Sequence, residues 1–214
     1  MTTPQANLPS MRASAATLAE AWIPHFEGRS AQVARDVALI VAGAGLTALA
    51  AQVSFTVGGS PVPYTLQTAA VLLTGTALGA GRGFASMALY VAVGALGVGV
   101  FADGRSGLGA DTGGGLAPTI GYLVAFILAA TLCGRLAQRQ WERTRTGAFL
   151  LMLLGSVVIY LIGVPVLAVV AGMTLSDAIY WGALVFVPWD LAKVVVATFA
   201  FPFAWRLAGD RTGE

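Results

Sequence analysis

Charged residues are scarce in this sequence: Asp, Glu, Lys and Arg together make up 10% of its 214 residues, while 57% are hydrophobic. A typical soluble domain is about 25% charged and about 45–50% apolar. So few charges cannot cover the surface of a domain that water surrounds, and a disordered chain would be poor in apolar residues. The composition therefore excludes both classes and predicts a membrane protein with several spans.

Histidine and cysteine are almost missing, since His25 and Cys133 are the one residue of each type. This excludes an intrachain disulfide, a zinc site built from His and Cys, and a Ser-His-Asp triad inside the membrane. The glycine-rich stretch 102–117 lacks the Gly-Lys-Ser/Thr ending of a phosphate-binding loop. We therefore expect no metal, no cofactor, no bound nucleotide and no nucleic-acid partner.

Residues 1–34 differ from the rest because they contain prolines and charges but no long apolar run. They lack the basic start and apolar core of a secretory signal. We interpret them as an N-terminal cytoplasmic extension, partly helical from Ala13 to Trp22. An alternative is a helix lying on the membrane surface, with Leu18, Trp22, Ile23 and Phe26 on one side. The membrane domain would then be 35–207, and 208–214 a cytoplasmic tail.

Six apolar runs of bilayer-spanning length follow the extension. They are Val37–Val57, Tyr64–Ala80, Gly83–Phe101, Pro118–Leu136, Gly147–Ala171 and a sixth that ends near Trp205. The predicted fold is an all-α integral membrane protein, a bundle of six transmembrane helices.

The sixth span is predicted to consist of two pieces. Proline fits the first turn of a helix, so Pro188 indicates a spanning helix from Pro188 to Trp205. A short outer helix, from Asp177 to Phe186, would precede it. Thr174 and Asp177 have the spacing of a helix-capping pair in front of this short piece.

The basic residues are distributed very unevenly between the two ends of these spans. Ten of the 12 lie on one side, Arg105 lies on the other, and Lys193 lies inside the sixth span. The ten are Arg12, Arg29, Arg35, Arg82, Arg135, Arg139, Arg143, Arg145, Arg206 and Arg211. The positive-inside rule then predicts that both termini are cytoplasmic.

Small residues recur at four-residue spacing in the first two spans. Such ladders let a second backbone come close, either within the bundle or from another subunit. The first span has two of them, one of Ala34, Ala38 and Ala42 and one of Ala44 and Ala48, and the second span ends with Gly75, Gly79 and Gly83. Because one of its two faces could point outward, the first span is our candidate for docking a membrane partner.

Asp190 and Lys193 are ionisable residues within the sixth span. They lie three residues apart and so share a helix face. Charged groups at membrane depth are costly and usually face a cavity or a pathway. We interpret the pair as part of a polar ligand site that opens outward, and the alternative is a salt bridge that only fixes the bundle. The outer loops at 58–63 and 102–117 could close over such a site.

Residues 61–75 (PVPYTLQTAAVLLTG) and 188–193 (PWDLAK) resemble the signatures of the BioY family, biotin-specific substrate-binding subunits of energy-coupling-factor (ECF) transporters. The similarity spans roughly residues 36–205 and includes shorter matches at 100–102 and 118–123. It implies six transmembrane helices and an outward-facing biotin pocket. Trp189 replaces the usual glycine, and the loop containing residues 111–115 is longer than the family pattern.

The resemblance also implies roles for individual residues. Asp190 would accept hydrogen bonds from the ureido N–H groups of biotin, and Lys193 or Arg105 would hold its carboxylate. Asp103 or Arg105 would match polar residues of the family's outer segment. The apolar part of biotin would pack on aromatic rings, for which the candidates are Phe101, Tyr122, Tyr64 and Trp189.

An ECF-type subunit would need partners, because no ATP-binding motif occurs in this chain. The resemblance implies a membrane coupling (T) subunit and two cytosolic ATPases. A homo-oligomer that works without them is a variant that the sequence leaves open. Two other function classes remain: a proton-driven secondary transporter of a substrate that bears a carboxylate, and an intramembrane enzyme. No inverted repeat favours the transporter, and no second carboxylate, histidine or metal cluster favours the enzyme.

Overall fold

The computed structural model describes residues 16–23, 26–56, 58–110 and 115–211. Within these ranges the chain is mostly helical. The α-helices are α1 (Leu18–Trp22), α2 (Arg29–Gln52), α3 (Gln67–Leu78), α4 (Ala80–Ala95), α5 (Ile120–Ala137), α6 (Arg145–Val170), α7 (Leu175–Gly182) and α8 (Val187–Arg211). Two short antiparallel strands, β1 (Ser54–Phe55) and β2 (Tyr64–Thr65), connect the regions around α2 and α3.

Four helical segments are long and apolar enough to cross a membrane. They are Arg29–Gln52, Ile120–Ala137, Arg145–Val170 and the joined α7–α8 segment Leu175–Gly209, and Gln67–Leu78 is a shorter apolar helix. Large apolar side chains are also exposed on the outer surface, for example those of Leu49, Leu161 and Val169. An apolar surface of this kind suits contact with lipid, and the chain is a multi-pass membrane protein.

Several predicted span boundaries differ from the helices. The run that begins at Tyr64 becomes helical only at Gln67, because Tyr64 and Thr65 pair with β1. The predicted span Gly83–Phe101 is wrong at its end: α4 ends at Ala95, and Gly97 has a φ of +102° that a helix does not allow. The predicted domain boundaries after residues 34 and 207 lie inside α2 and α8.

The two-piece interpretation of the last span agrees with the structure. Thr174 caps α7 and accepts a hydrogen bond from the Asp177 amide at 3.2 Å. A short 3₁₀ turn at 184–186 follows α7, and α8 then begins with Pro188 in its first turn. This arrangement places Asp190 in the first turn of α8.

Helix α1 is fixed to the rest of the molecule by buried polar contacts. The Arg35 guanidinium donates to the carbonyls of Ala19 and Ile23 at 3.1 Å each. Glu20 forms an ion pair with Arg82 at 3.6 Å. Thr17 and Ala19 are buried, so α1 packs against protein on one side. The part of the predicted helix between Ala13 and Ala15 lies outside the described residues.

The glycine ladder at the end of the second apolar run serves contacts within the protein. A Cβ at Gly75 would lie 2.3 Å from the Ala130 carbonyl oxygen, and a Cβ at Gly134 would lie 2.4 Å from the Ala80 amide nitrogen. A Cβ at Gly83 would lie 2.9 Å from the Gly75 Cα. The ladder therefore brings the backbones of α3, α4 and α5 into close contact.

We expect Gly75→Ala to lower the free energy of unfolding by about 1–3 kcal/mol, the usual cost of overpacking. The new methyl group would meet backbone atoms of Ala130, which no side-chain rotation can move. Gly81→Ala is the matched control, because nothing lies within 4 Å of its added Cβ. Thermal unfolding in detergent measures both variants, and an unchanged midpoint for Gly75→Ala would contradict this packing.

The loop between α5 and α6 is fixed to the end of α8. Glu142 is fully buried and accepts a hydrogen bond from the Trp205 indole N–H at 3.0 Å. Burial raises the pKa of this carboxyl to about 7, although the hydrogen bond from Trp205 opposes the rise. The Arg143 guanidinium lies 4.1 Å from the centroid of the Trp205 ring. These contacts fix the C-terminal half of α8 against the loop between α5 and α6.

Candidate functional site

A cavity lies between the loop before α3, the loop before α5, and the facing sides of α5, α6 and α8. Its lining includes Thr65, Gln67, Thr68, Phe101, Arg105, Tyr122, Leu123, Phe126, Ile159, Tyr160, Phe186, Asp190 and Lys193. The lining is mostly apolar, with a few polar groups at defined positions. This is the usual constitution of a small-molecule site.

Asp190 and Lys193 form a buried ion pair on the α8 wall of the cavity. The Lys193 Nζ lies 2.8 Å from the Asp190 Oδ1, and each side chain is 11% exposed. Asp190 lies in the first turn of α8, where the positive helix end favours a carboxylate. The pair therefore places two opposite charges, both largely shielded from water, on one wall of a mostly apolar cavity.

The lysine makes further hydrogen bonds to the segment that precedes and begins α3. Its Nζ donates to the Thr65 carbonyl at 2.9 Å and to the Thr68 hydroxyl at 2.7 Å, in addition to Asp190. An ammonium group has three N–H donors. All three N–H donors are thus directed at protein acceptors. Lys193 therefore links α8 to β2 and to the first turn of α3.

Asp190 has further partners of its own. Its Oδ2 accepts a hydrogen bond from the Tyr160 hydroxyl of α6, and its Oδ1 lies 3.4 Å from the Thr68 hydroxyl. Tyr160 and Thr68 both line the cavity, and neither was among the residues predicted from the sequence. Tyr160 is one of two polar residues, with Ser156, in the apolar stretch 149–170 of α6, and this is the signal that could have identified it.

Arg105 lies on a different wall of the same cavity, in the loop before α5. Its Nε donates to the Ala102 carbonyl at 3.1 Å, and its Nη2 lies 3.6 Å from the Asp103 Oδ2. Asp103 also accepts a hydrogen bond from the Ser54 hydroxyl, and it is not among the lining residues. The Arg105 side chain is 34% exposed, so its ion pair with Asp103 is a surface contact of small net energy.

The four predicted aromatic residues fall into two groups. Phe101 and Tyr122 line the cavity, and the Tyr122 hydroxyl donates to the Gly182 carbonyl at 2.8 Å. Tyr64 and Trp189 are not lining residues. Tyr64 instead packs on Phe186, with ring centroids 4.3 Å apart, and its hydroxyl donates to the Val185 carbonyl.

Trp189 lies behind the cavity wall beside β1 and β2. Its indole N–H points to the Thr65 carbonyl at 3.4 Å, and its ring meets Phe55 edge-on at 6.0 Å. Tyr64 and Trp189 thus support the residues that form the wall. Phe126, Ile159 and Phe186 line the cavity instead, and the sequence patterns did not single them out.

Gln67 connects this site to the loop that follows α4. Its Nε2 donates to the Tyr90 hydroxyl at 2.8 Å, and that hydroxyl donates to the Val100 carbonyl at 3.2 Å. Phe101 then packs against Gly94, where a Cβ would lie 2.2 Å from the ring. These contacts position Phe101 at the cavity wall.

The two alanine ladders of α2 have different environments. Ala34, Ala38 and Ala42 are exposed, whereas Ala44 is buried and Ala48 packs against the core. The first ladder continues an exposed apolar face that includes Val37 and Val41. One of the two faces is therefore used inside the protein, and the other has no covering among the described residues.

The fold and the cavity together define a helical membrane protein with a buried ion pair in the wall of a cavity. Charged residues in this setting generally mark binding or transport. The described residues contain no group of three or more His, Cys, Asp or Glu side chains that could hold a metal ion. The similarity of this chain to known proteins identifies the family within this class.

A family model described as the BioY family matches residues 16–210, and the chain belongs to this family. The "Probable biotin transporter BioY" of Pyrococcus horikoshii is 37% identical over 177 residues, which cover 83% of this chain and 98% of that protein. The "Biotin transporter BioY" of Thermotoga maritima is 39% identical over 163 residues, with 74% of this chain and 90% of that protein covered.

The fold is also similar to a solved structure. A crystal structure of the S-component for biotin from an ECF-type ABC transporter superimposes with a TM-score of 0.70 and 20% sequence identity. The match covers 84% of this chain and 95% of that chain. The likeness supports the architecture described above, that of an integral membrane protein with a helical bundle.

Proposed function

We propose that this protein binds biotin and serves as the substrate-specific subunit for its uptake across a bacterial cytoplasmic membrane. The observation that carries the proposal is a single cavity with a buried carboxylate on one wall, an arginine on another, and aromatic rings between them. Biotin has the complementary pattern: a ureido group, an apolar ring and chain, and a carboxylate. The names of the relatives point to the same ligand.

The ureido group of biotin is assigned to Asp190. A carboxylate accepts hydrogen bonds but donates none, so it matches the two ureido N–H donors. Tyr160 and Thr68 lie beside this carboxylate and can orient it. The neighbouring Lys193 ammonium lies 2.8 Å from the carboxylate and compensates its charge.

The carboxylate of biotin is assigned to Arg105 rather than to Lys193. All three Lys193 donors are directed at Thr65, Thr68 and Asp190, so a second carboxylate would have to displace one of these buried acceptors. The ion pair of Arg105 with Asp103 is partly exposed, and ion pairs of this kind contribute little net free energy. A guanidinium can also bind a carboxylate through two parallel hydrogen bonds.

Equilibrium binding of biotin to the full-length protein in detergent tests this function. We expect saturable binding with one site per chain, and recovery of chemically unchanged biotin from the complex. Altered ligand would point to an enzyme instead. No binding by a protein that unfolds cooperatively would refute biotin as the ligand.

We propose that the exposed ladder of Ala34, Ala38 and Ala42 docks against a membrane coupling (T) subunit, which works with two cytosolic ATPases. The sequence contains no ATP-binding motif, so any ATP hydrolysis that drives uptake would be carried out by other chains. Small residues at four-residue spacing allow a partner helix to approach closely. In this arrangement the chain itself carries no catalytic activity.

Ala38→Leu should prevent this docking and lower biotin uptake strongly, while the affinity for biotin in detergent stays unchanged. The larger side chain would keep a partner backbone away from α2. Ala92→Leu is the matched control, since Ala92 is an exposed alanine on α4. Co-purification with the coupling subunit and uptake in cells are the two measurements. Equal uptake by both variants would contradict docking at this ladder.

We also propose six membrane crossings with both termini in the cytoplasm. α2, α3, α4, α5, α6 and α8 would be the crossing helices, with α7 on the outer side. Reporter tags before Met1 and after Glu214 should then report from the cytoplasm, and a tag between residues 111 and 115 from outside. Opposite placement of either terminus would exclude this topology.

A further inference from the structure

A second groove lies on the outer surface of α6 and α8, away from the biotin cavity. It is lined by Arg145, Phe199, Ala200, Pro202, Phe203 and Arg206. Both arginines and both phenylalanines are exposed residues. The groove therefore combines two cations with an apolar floor on the exposed surface of α6 and α8.

The positions of the two arginines along their helices fit the level at which the hydrocarbon core of a bilayer would end. Arg145 is the first residue of α6. Arg206 follows Val187, the first residue of α8, by 19 residues, which is about 29 Å at about 1.5 Å per residue. The hydrocarbon core is about 30 Å thick. If α8 enters the bilayer near Val187, Arg206 reaches the opposite headgroup region.

The charges of the groove are not compensated by the described part of the protein. Neither arginine forms an ion pair with a described side chain. The Arg145 guanidinium instead lies 5.1 Å from the centroid of the Phe199 ring. The described carboxylate nearest to Arg145 in sequence, Glu142, is buried and hydrogen-bonded to Trp205. The described side chains that line the groove thus carry a net positive charge.

The apolar floor extends from the arginines toward the membrane interior. Phe199, Phe203 and Arg206 lie on one side of α8, at spacings of four and three residues. The start of α6 adds the positive end of a 26-residue helix beside Arg145. The complementary molecule has an anionic headgroup and a long apolar chain.

We propose that this groove is a binding site for an anionic phospholipid, with the phosphate between Arg145 and Arg206 and an acyl chain along Phe199 and Phe203. Basic pockets between membrane helices bind anionic headgroups in this way. The proposal requires the membrane location of the family but does not depend on biotin as the ligand. A lipid bound in this groove would stabilise the position of α8, the helix that carries Asp190.

Native mass spectrometry of the full-length protein, released from detergent micelles with phosphatidylglycerol or phosphatidylcholine, tests this site. We expect wild-type protein to retain phosphatidylglycerol preferentially. Arg145→Gln combined with Arg206→Gln should weaken its binding about 30-fold, since each basic residue contributes about fivefold. Arg135→Gln combined with Arg139→Gln removes the same charge from exposed positions of the same end and should have little effect.

Three further measurements make the result decisive. Phe203→Ala keeps both charges and should weaken the lipid several-fold, which also serves if the double variant fails to fold. Inorganic phosphate should not displace the lipid, because it lacks the acyl chain. Biotin affinity should be unchanged in all variants, so failure at this groove is distinguishable from failure of the biotin site.

Four results would overturn the proposal. They are no preference for phosphatidylglycerol in the wild type, an equal loss in the Arg135/Arg139 control, displacement by inorganic phosphate, and loss of a co-purifying protein in the double variant while lipid binding stays intact. Displacement by inorganic phosphate would indicate a simple anion site. Loss of a co-purifying protein with intact lipid binding would indicate a protein-docking surface.

Discussion

Asp190→Asn is expected to weaken biotin binding by roughly 10- to 150-fold. The substitution preserves the shape and one acceptor oxygen but removes the charge. Hydrogen bonds to a charged group contribute about 1.5–3 kcal/mol net, and each 1.4 kcal/mol is about tenfold in affinity. The new amide would also direct N–H donors at the ureido N–H groups, and it would leave Lys193 without its anionic partner.

Asp177→Asn is the matched control for this substitution. Asp177 is an exposed carboxylate in the first turn of α7, just as Asp190 is in the first turn of α8, but it is not a lining residue. The Asp177→Asn variant should therefore bind biotin as the wild type does. Isothermal titration in detergent compares the two. Wild-type affinity in Asp190→Asn would remove this carboxylate from the proposed site.

The local features of α8 could be predicted from the sequence because they depend on neighbouring residues. The spacing of Asp190 and Lys193 requires them to share a helix face, and the structure pairs them at 2.8 Å. The capping of α7 by Thr174 and the start of α8 near Pro188 also follow from local rules.

The partners of this pair could not be predicted in the same way, since they come from distant parts of the chain. Tyr160 is 30 residues away from Asp190, and Thr68 is 122 residues away. One Lys193 partner is the Thr65 carbonyl, a backbone group that has no signature in any sequence. Contacts of this kind depend on how the helices pack, and spacing alone does not encode packing.

The end of α4 and the choice of lining aromatics were missed for related reasons. Hydropathy continues through Leu96–Phe101, but the backbone at Gly97 leaves the helical region. Tyr64 and Trp189 have the composition expected for a pocket wall, yet they lie behind it and support Phe186 and the Thr65 carbonyl. Which side of a ring faces a cavity is decided by tertiary packing.

Lys193→Ala is the second substitution with a large expected effect, and it acts mainly on stability. Removing one partner of a buried ion pair leaves the other charge uncompensated, which costs about 3–5 kcal/mol. Lys193 also links α8 to the Thr65 carbonyl and the Thr68 hydroxyl. We therefore expect a clearly lower unfolding temperature in detergent, with weaker binding of biotin and of biotin amide by equal factors.

Arg105→Gln is the informative counterpart, because Arg105 is the cation that we assign to the carboxylate of biotin. Its ion pair with Asp103 is partly exposed and lies in a loop, so the substitution should leave the unfolding temperature nearly unchanged. It should weaken biotin roughly tenfold, as expected for one charge-assisted contact, and biotin amide much less, because the amide has no carboxylate to hold.

The two ligands measured against the two variants thus separate a structural cation from a ligand-binding one. The geometry favours Lys193 as the structural cation, since its three N–H donors already have protein acceptors. If Lys193→Ala instead weakened biotin far more than biotin amide, while Arg105→Gln affected both ligands alike, the assignments would be reversed. The biotin carboxylate would then lie at the α8 wall, and Asp190 would have to move to admit it.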